Sequence, residues 1–317
     1  MDMDIAIAID VGGTKTTAGL VDRSGELIAE ITVPTPTASA EAVAAEAVET
    51  AQQLIAPVER RERTVAVGIG IPGTIDLARG IAVYAPNLPI REFPFRKILE
   101  EELGLPVFLD NDANLAALGE AVYGAGRGAR HLVVLTLGTG IGGGIVIEGR
   151  VYRGSTGSAA ELGHMLFPGE DGKVIDWEYM ASGTALVRRV REAVDRGAVS
   201  LALDLAGGDA SSITGEIVAE AARRGDEVSL VAFRKMSYWL GIGLANVANI
   251  FNPDRIVLGG GMADASDLFF DDAHRLMLDM AIPPNGVRAE LTVAQLGSRA
   301  ALFGGAALAF SGLIPHI

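Results

Sequence analysis

The stretch Gly138-Thr-Gly-Ile-Gly-Gly-Gly-Ile-Val-Ile147 decides the fold prediction for this chain. Its first six residues satisfy G-x-G-x-x-G, the dinucleotide-binding fingerprint. A Rossmann unit requires that this loop follow a strand and open a helix, because the pyrophosphate lies at the N-terminus of that helix. Here the β-branched residues Ile145, Val146 and Ile147 run into a turn at Glu148-Gly149. The pattern therefore predicts a hairpin of two strands and argues against NAD.

A second loop of similar composition lies near the N-terminus, in Asp10-Val-Gly-Gly-Thr-Lys15. Glycines free successive backbone N–H groups, which can form a nest for an anion, and the side chains of Thr14, Lys15 and Thr139 add donors. One such loop is equally well explained as a glycine-rich turn. Two similar loops in one chain favour phosphate binding, and Asp10 at a strand end suits a hydrated Mg²⁺.

The composition excludes several classes of protein. The chain has no cysteine, which rules out disulfides, thiolate catalysis and cysteine-based metal sites. The 40 acidic residues against 26 Lys and Arg give a net charge of −14, so we expect no nucleic-acid partner. The N-terminus lacks a signal-peptide pattern, and no apolar run reaches the roughly 18 residues of a membrane span. We therefore expect a cytoplasmic protein that does not bind membranes.

Two segments share one order of elements: strand, Gly/Thr loop, strand, Gly turn, strand. One begins at Ile5 and the other at His131. This repetition, within 317 residues, predicts an α/β chain of two related domains. We expect a smaller N-terminal domain in residues 1–113 and a larger one in 114–298. The final helix of small residues, about 299–317, is expected to pack back on the first domain.

The segment Asp110-Asn-Asp-Ala-Asn114 lies where a predicted strand gives way to a predicted helix. Phosphoryl transfer to a hydroxyl needs a carboxylate that accepts the proton, and Asp112 is the natural candidate. Asp and Asn are also preferred helix N-caps, so position alone leaves capping as an alternative role. The two roles are compatible if one carboxyl of the segment caps the helix and another faces the ligand.

Two further segments carry polar or glycine patterns that have ordinary explanations as well. Glu161-Leu-Gly-His164 combines an acceptor with a donor that suits sugar hydroxyls, although a lone histidine is more often structural. Gly259-Gly-Gly261 follows a predicted strand and would let a flat adenine approach the backbone, although a plain strand-to-helix turn has the same pattern.

Taken together, these segments resemble the ROK (repressor, open reading frame, kinase) family of bacterial sugar kinases, within the actin/hexokinase/Hsp70-like ATPase superfamily. The resemblance covers nearly the whole chain. The matching segments, in order, are AIDVGGTKTTAGLVD at 8–22, GIGIPGTID at 68–76, LDNDANLAALGEAVYGAGRG at 109–128, LTLGTGIGGGIVIEGRVYRGSTGSAAELGH at 135–164 and NPDRIVLGGGM at 252–262.

The resemblance implies two ribonuclease-H-like domains with a ligand cleft between them, and ATP-dependent phosphorylation of a hexose, with glucose as the first expectation. It makes Asp112 the catalytic base and assigns Asp10 to Mg²⁺ through water. The residues implied to bind sugar are Gly73, Asn87, Asn111, Asp112, Glu161, His164 and Glu178. Those implied to bind ATP are Asp10, Gly12, Gly13, Thr14, Lys15, Gly138, Thr139, Gly140, Gly259, Gly260 and Gly261.

One segment departs from the family pattern. Many ROK proteins have C-x-C-G-x-x-G-C-x-E after the histidine, and the three cysteines and the histidine bind structural zinc. Alignment on Glu178 places Gly169, Asp171 and Asp176 where the cysteines would be. Structural zinc sites are usually rich in thiolates, so we expect no zinc here and expect packing, helped by Trp177, to position His164.

The sequence leaves alternatives for the acceptor, the phosphate donor and the class of protein. The acceptor could be fructose, mannose, an N-acetylhexosamine, inositol or a glucoside, and polyphosphate could replace ATP. A sugar-responsive regulator is disfavoured because a strand begins at Ile5, where such relatives carry a helix-turn-helix. A silent sugar-binding protein is disfavoured by Asp10, Lys15 and Asp112. The resemblance also implies a homodimer or homotetramer.

Overall fold

The computed structural model describes residues 4–169 and 172–313. Contacts between Cα atoms divide the chain into two compact units. The first unit contains the described residues up to Ala129, then Gly144–Ala160, and those from Ser298 onward. The second unit contains Arg130–Gly143 and the described residues of Glu161–Gly297.

Strands are concentrated in the first half of the chain. In order they are β1 Ile5–Val11, β2 Lys15–Asp22, β3 Leu27–Pro34, β4 Thr64–Ile71, β5 Thr74–Asp76, β6 Ile81–Ala85, β7 Ile90–Phe93, β8 Val107–Asn111, β9 His131–Leu137, β10 Ile141–Ile147, β11 Arg150–Val151, β12 Leu166–Pro168, β13 Val174–Asp176, β14 Arg255–Gly259 and β15 Glu290–Val293.

Helices dominate the second half, as the sequence predicted. In order they are α1 Ala40–Leu54, α2 Val58–Arg63, α3 Phe95–Leu103, α4 Asp112–Tyr123, α5 Trp177–Ala181, α6 Gly183–Asp195, α7 Leu201–Leu205, α8 Gly215–Arg223, α9 Glu227–Phe251, α10 Phe270–Met280, α11 Asn285–Arg288 and α12 Ala300–Gly312.

The main sheet of the first unit has the strand order β3-β2-β1-β4-β8. Strand β1 pairs antiparallel with β2 and parallel with β4, which in turn pairs parallel with β8. The central strand β1 reads as a near-continuous apolar run because helices cover both of its faces, and Ile5–Ile9 are fully buried. A smaller antiparallel sheet, β5-β6-β7, belongs to the same unit.

The final helix α12 packs against α4, β1 and β4 within the first unit. Its glycines permit this close approach: a Cβ on Gly304 would lie 1.8 Å from the carbonyl oxygen of Leu115 in α4. Because α4 and α12 pack together, the first unit continues to Ala129, whereas the sequence placed its boundary near residue 113. The expected boundary therefore differs from the observed division, and the cause is the glycine-lined contact of α4 with α12.

The second sheet has the order β11-β10-β9-β14-β15. Strands β9, β14 and β15 are parallel, and β9 and β14 are largely buried. The 25-residue helix α9 begins at its N-cap Asp226 and ends at Asn252, which adopts the left-handed conformation. Residues 131–147 form the predicted hairpin of β9 and β10, so the argument against a Rossmann helix after Gly144 is confirmed.

Candidate active site

Three parallel strands of the first unit end at one edge of its sheet. Asp10 near the end of β1 is in register with Gly70 of β4, which is in register with Asp110 of β8. Because parallel strands present their carboxyl ends together, this edge collects the polar residues that follow each strand. It places Asp10 and the junction of β8 with α4 on the same side of the sheet.

The junction of β8 with α4 is shaped by the side chain of Asn111. Its Oδ1 accepts from the backbone N–H groups of Ala113 (2.9 Å) and Asn114 (3.2 Å), which makes Asn111 the N-cap of α4. Its Nδ2 donates to the carbonyl oxygen of Gly73 at 3.1 Å. Of the capping residues that the sequence left open, the structure has Asn111 rather than a carboxyl in that position.

Asp112 is the first residue of α4 and is half-buried. Its Oδ1 accepts from the N–H of Ala113 at 2.9 Å. The N-terminal end of a helix favours a nearby negative charge, and Asp112 lies in that first turn. Asn111 performs the capping and leaves Asp112 available for chemistry.

Asp10 carries a strongly shifted pKa. Burial, reinforced by the nearby carboxylate of Asp112, raises the pKa of Asp10 to about 7, and Lys15 partly offsets the shift. Two carboxylates close together destabilise each other's charged forms, and a cation beside them removes that penalty. Oxygen ligands of this kind are those that Mg²⁺ prefers, so the donor set fits a magnesium ion.

The first glycine loop joins β1 to β2 in a tight turn. The N–H of Gly12 donates to the carbonyl oxygen of Lys15 at 2.9 Å. Thr35 anchors the loop from outside: its hydroxyl donates to the oxygen of Gly12 at 2.8 Å, and its N–H donates to the oxygen of Thr14 at 3.0 Å. Sequence reasoning missed Thr35, since it lies after β3 in a Pro-rich stretch with no motif of its own.

The exposed face of this first loop carries donors. Gly13, Thr14 and Lys15 are exposed, and the exposed Asn87 lies beside the loop, where its Cβ would be 3.6 Å from a Cβ added to Gly13. The first unit thus brings Asn87 near the first glycine loop. In the same unit, the carbonyl oxygen of Gly73 accepts the hydrogen bond from Asn111.

The second glycine loop joins β9 to β10 in the second unit and is fixed by Glu178. The Oε2 of Glu178 accepts from the N–H of Ile141 at 2.8 Å. Gly140 gives the carboxylate its space, because a Cβ at this position would lie 2.1 Å from that oxygen. The N–H of Gly138 closes the turn onto the oxygen of Gly140 at 2.9 Å, and Thr139 is exposed at its tip.

Glu161 and His164 flank a short 3₁₀ turn and are both exposed. The Nδ1 of His164 lies 3.6 Å from Oδ2 of Asp176, an ion-pair distance that is too long for a hydrogen bond. Asp176 also caps α5 by accepting from the N–H of Tyr179 at 2.8 Å. The second unit therefore places Glu161, His164 and Glu178 in one neighbourhood, with Asp176 as an unpredicted partner of the imidazole.

Trp177 holds this neighbourhood to the core of the second unit. The ring is fully buried, its Nε1 donates to the carbonyl oxygen of Trp239 at 2.9 Å, and its backbone N–H donates to Met165 at 2.8 Å. Gly243 of α9 lies against the indole, where no larger residue fits. Trp177 is therefore linked to His164 through the backbone of Met165, the residue that follows the histidine.

The aligned zinc positions do not fit a structural zinc site. Gly169 offers no side-chain ligand, Asp171 lies outside the described residues, and Asp176 caps α5 through one of its oxygens. Within residues 4–169 and 172–313, no cluster of three or more His, Asp or Glu side chains is arranged to hold a metal. The absence of zinc stays a prediction for measurement.

A cavity of about 1020 Å³ opens in the second unit beside the second loop. Of the residues assigned to ATP, it is lined by Gly138, Thr139 and Gly261, whereas Gly259 and Gly260 are not among its lining residues. The polar and charged lining residues that sequence reasoning missed are Thr184, Arg188, Arg191, Glu192, Asp195, Thr214, Glu216, Glu220, Arg223 and Asp264. These come from α6, α8 and their flanks, where amphipathic helix patterns gave no functional signal.

Comparison with known proteins settles the family. Residues 6–311 match the sequence profile of the ROK family. The chain belongs to the ROK family. A glucokinase of Streptomyces coelicolor is 39% identical to this ROK protein over 319 residues, covering 97% of this chain and 98% of the relative.

Two solved structures have the same fold as this ROK protein. A ROK glucokinase from Streptomyces griseus, in complex with glucose and AMPPNP, is 37% identical, has a TM-score of 0.82 and covers 97% of this chain and 100% of its own. A ROK hexokinase from Thermus thermophilus is 34% identical, has a TM-score of 0.79 and covers 98% and 99%. The expected class, α/β with the two-domain fold of ROK sugar kinases, is confirmed. Over the described part of the chain, we find no helix with the length and apolarity of a membrane span.

Proposed function

We propose that this chain, a sugar kinase of the ROK family, transfers the γ-phosphate of ATP to the 6-hydroxyl of glucose. The observation that carries the proposal is the pair of carboxylates at the sheet edge of the first unit, Asp10 after β1 and Asp112 at the head of α4. Burial, with the Asp112 carboxylate adding to it, raises the pKa of Asp10, and a buried acid beside a second carboxylate is an arrangement suited to metal-assisted phosphoryl transfer. The glucokinase relatives, one of them solved with glucose, support glucose as acceptor.

Asp112 is the proposed general base. Its carboxylate accepts the proton of the sugar hydroxyl as that oxygen attacks the γ-phosphorus, while the bond from this phosphorus to the bridging oxygen breaks and ADP leaves. Asn111 contributes to sugar binding, because only one hydrogen of its Nδ2 is needed for the bond to Gly73. Gly73, Asn87, Glu161, His164 and Glu178 complete the proposed sugar contacts.

The two glycine loops are the proposed phosphate ligands. Gly12, Gly13, Thr14 and Lys15 supply backbone donors, a hydroxyl and an ammonium in the first loop, and Gly138, Thr139 and Gly140 supply donors in the second. The cavity lined by Gly138, Thr139 and Gly261 has room for an adenosine and supports ATP as the donor. The relative that was solved with AMPPNP supports the same choice.

Asp10 is the proposed anchor for Mg²⁺, through a coordinated water. When bound, the ion neutralises negative charge on the transferred phosphoryl group. The role of this chain is to offer a hard carboxylate oxygen whose charged form benefits from a cation. Lys15 supplies a second positive charge near the same carboxylate.

A homodimer or homotetramer is the proposed assembly. Large apolar side chains are exposed in neighbouring segments of the second unit, at Ile250 in the last turn of α9 and at Ile282 and Val287 around α11. The N–H of Ile282 donates to Oδ1 of Asn249 at 2.9 Å, which holds these segments side by side. Light scattering on the purified chain should give a mass of two or four chains, and a monomer at micromolar concentration would contradict it.

A sugar panel tests the proposed function. Formation of sugar phosphate by the purified chain should be measured with glucose, fructose, mannose, the N-acetylhexosamines and inositol, with ATP and separately with polyphosphate as the donor. We expect the highest kcat/KM for glucose with ATP. Failure to phosphorylate any of these sugars would overturn the proposal. A higher kcat/KM for another sugar would reassign the acceptor. Asp112→Asn protein in the same assay identifies turnover by contaminants.

A further inference from the structure

A buried carboxylate, that of Asp110, lies next to the proposed base and takes no part in the proposed proton transfer. Asp110, the penultimate residue of β8, has a side chain only 1% exposed. A charged group in such a place is stable only when it is paired and hydrogen-bonded. Its partners therefore show what the residue holds in place.

Arg153 is the counter-charge, and it reaches Asp110 from 43 residues further along the chain. Its Nε lies 2.7 Å and its Nη2 2.6 Å from Oδ2 of Asp110. Its Nη1 donates to the carbonyl oxygen of Val151 at 3.3 Å. The planar guanidinium thus clamps one carboxylate oxygen with two donors and is itself held by the strand that precedes it.

The other oxygen of Asp110 serves the segment that carries Asp112. Its Oδ1 accepts from the backbone N–H of Asn111 at 2.8 Å and from Nδ2 of Asn114 at 2.9 Å. These two residues lie immediately before and two positions after Asp112. Asn114 is itself buried, so its side chain has little freedom to move elsewhere.

We propose that Arg153 and Asp110 are positioning residues that fix the first turn of α4, and with it the carboxylate of Asp112, in the orientation for proton transfer. This inference rests on the proposed function. Arg153 holds one oxygen of Asp110, which directs the other oxygen to both flanks of Asp112. Loss of the two-donor clamp frees Asp110 to rotate and loosens those flanks, Asn111 included, while the nucleotide contacts stay in place.

Arg153→Lys tests the clamp because it keeps the positive charge and removes the planar pair of donors. We expect kcat to fall about tenfold or more, since displacement of a reacting group by about 1 Å costs up to a hundredfold. The KM for ATP should stay within about threefold of wild type, because the phosphate contacts remain, and the KM for glucose should rise less than kcat falls, because Asn111 is one of several proposed sugar contacts. Asp110→Glu, which restores the charge in a longer side chain, should recover less activity than wild type and more than Asp110→Asn.

Arg255→Lys is the matched control. Arg255 also directs Nε and Nη2 at one carboxylate oxygen, that of Glu290, at 2.9 and 2.6 Å, and it lies on β14 of the other unit. We expect its kcat to match that of wild type. An equal loss in both Lys variants, or a wild-type kcat in Arg153→Lys, would overturn the positioning role.

A double mutant separates positioning from a general structural role. If Arg153 acts through Asp112, then Arg153→Lys should lower kcat in the wild-type background and leave the residual kcat of Asp112→Asn nearly unchanged. Equal reductions in both backgrounds would show that Arg153 acts independently of Asp112 and would overturn the inference.

Hydrogen exchange provides a readout that does not depend on turnover. Peptides that cover residues 109–115 should exchange faster in Arg153→Lys than in wild type, with no change in Arg255→Lys. Unchanged exchange in this segment would contradict the inference even if activity fell. A wild-type protein that leaves glucose unmodified would overturn the proposed function, while the exchange experiment would still decide whether the clamp orders this turn.

Discussion

The proposed proton transfer depends on the carboxylate of Asp112. Asn111 caps α4, so the N-cap does not depend on Asp112. Removal of its charge should therefore affect turnover far more than folding. Because a different residue caps the helix, Asp112→Asn tests the proposed proton transfer while the N-cap stays in place.

We predict that Asp112→Asn lowers kcat by about 10²–10⁴-fold, the usual contribution of a general base. Circular dichroism and the unfolding midpoint should match those of wild type. Glu41→Gln, which alters an exposed acid in the first turn of α1, is the control and should keep full activity. Full activity in Asp112→Asn would remove this residue from the proposed role.

Gly140 links the second phosphate loop to a proposed sugar ligand. An alanine Cβ would lie 2.1 Å from Oε2 of Glu178, so Gly140→Ala must displace that carboxylate. We predict that the KM for glucose rises about tenfold or more, the effect of losing one hydrogen bond to a charged group. Glu41→Gln, a change of an exposed acid in the first turn of α1, is the control. Equal glucose KM values in the two variants would contradict the role of Glu178.

At the scale of elements, Asp226 shows how one side chain organises the second unit. Its carboxylate accepts from the N–H of Ser229 (2.9 Å) at the start of α9, from the hydroxyl of Ser200 (2.9 Å) and from the N–H of Leu201 (2.9 Å) at the start of α7. Burial alone would raise the pKa of Asp226, but these hydrogen bonds together lower the pKa below its ordinary value of 3.8.

We predict that Asp226→Ala lowers the free energy of unfolding by about 1–3 kcal/mol at neutral pH, the cost of lost caps and hydrogen bonds. A lowered pKa means that the stabilisation is present above 3.8 and is lost as pH falls through the lower folded-state pKa. The wild-type advantage should therefore shrink in acid. Urea unfolding of both proteins at several pH values measures it, and a difference independent of pH would contradict the assignment.

Element prediction succeeded where a pattern was local. The β-branched Ile145–Ile147 run predicted β10, and helical spacing predicted the position of α9. Strands β5–β7 and β12–β13 were missed because each is short and mixes exposed with buried residues. Arg153 was missed for another reason: its role depends on a partner 43 residues away, and no local pattern marks it.

At the scale of the whole chain, the repeated order of elements in the sequence predicted where the candidate site segments lie. It did not predict how the chain divides into two units. The sequence indicates the two loops and the β8–α4 junction because strand ends and glycines coincide there. The first unit gains residues 144–160 and the final helix through contacts between distant segments, such as Gly304 with Leu115. Packing of this kind depends on shape, which a reading of one sequence does not reveal.

The chain should contain no zinc. It has no cysteine, and Asp176, which lies nearest to His164, already caps α5. We predict that elemental analysis of the purified protein finds zinc well below one atom per chain. Activity should survive dialysis against EDTA once Mg²⁺ is restored. One tightly bound zinc per chain, or a lasting loss of activity after EDTA, would contradict this expectation.

The central claim is phosphoryl transfer from ATP to glucose by this ROK protein. Phosphorus NMR of a reaction that contains the purified chain, ATP, Mg²⁺ and glucose tests it most directly, because it identifies both products at once. We predict that glucose 6-phosphate and ADP appear in equal amounts, and that Asp112→Asn forms neither at a comparable rate. Unchanged ATP, or ADP accompanied by inorganic phosphate without a sugar phosphate, would contradict the account.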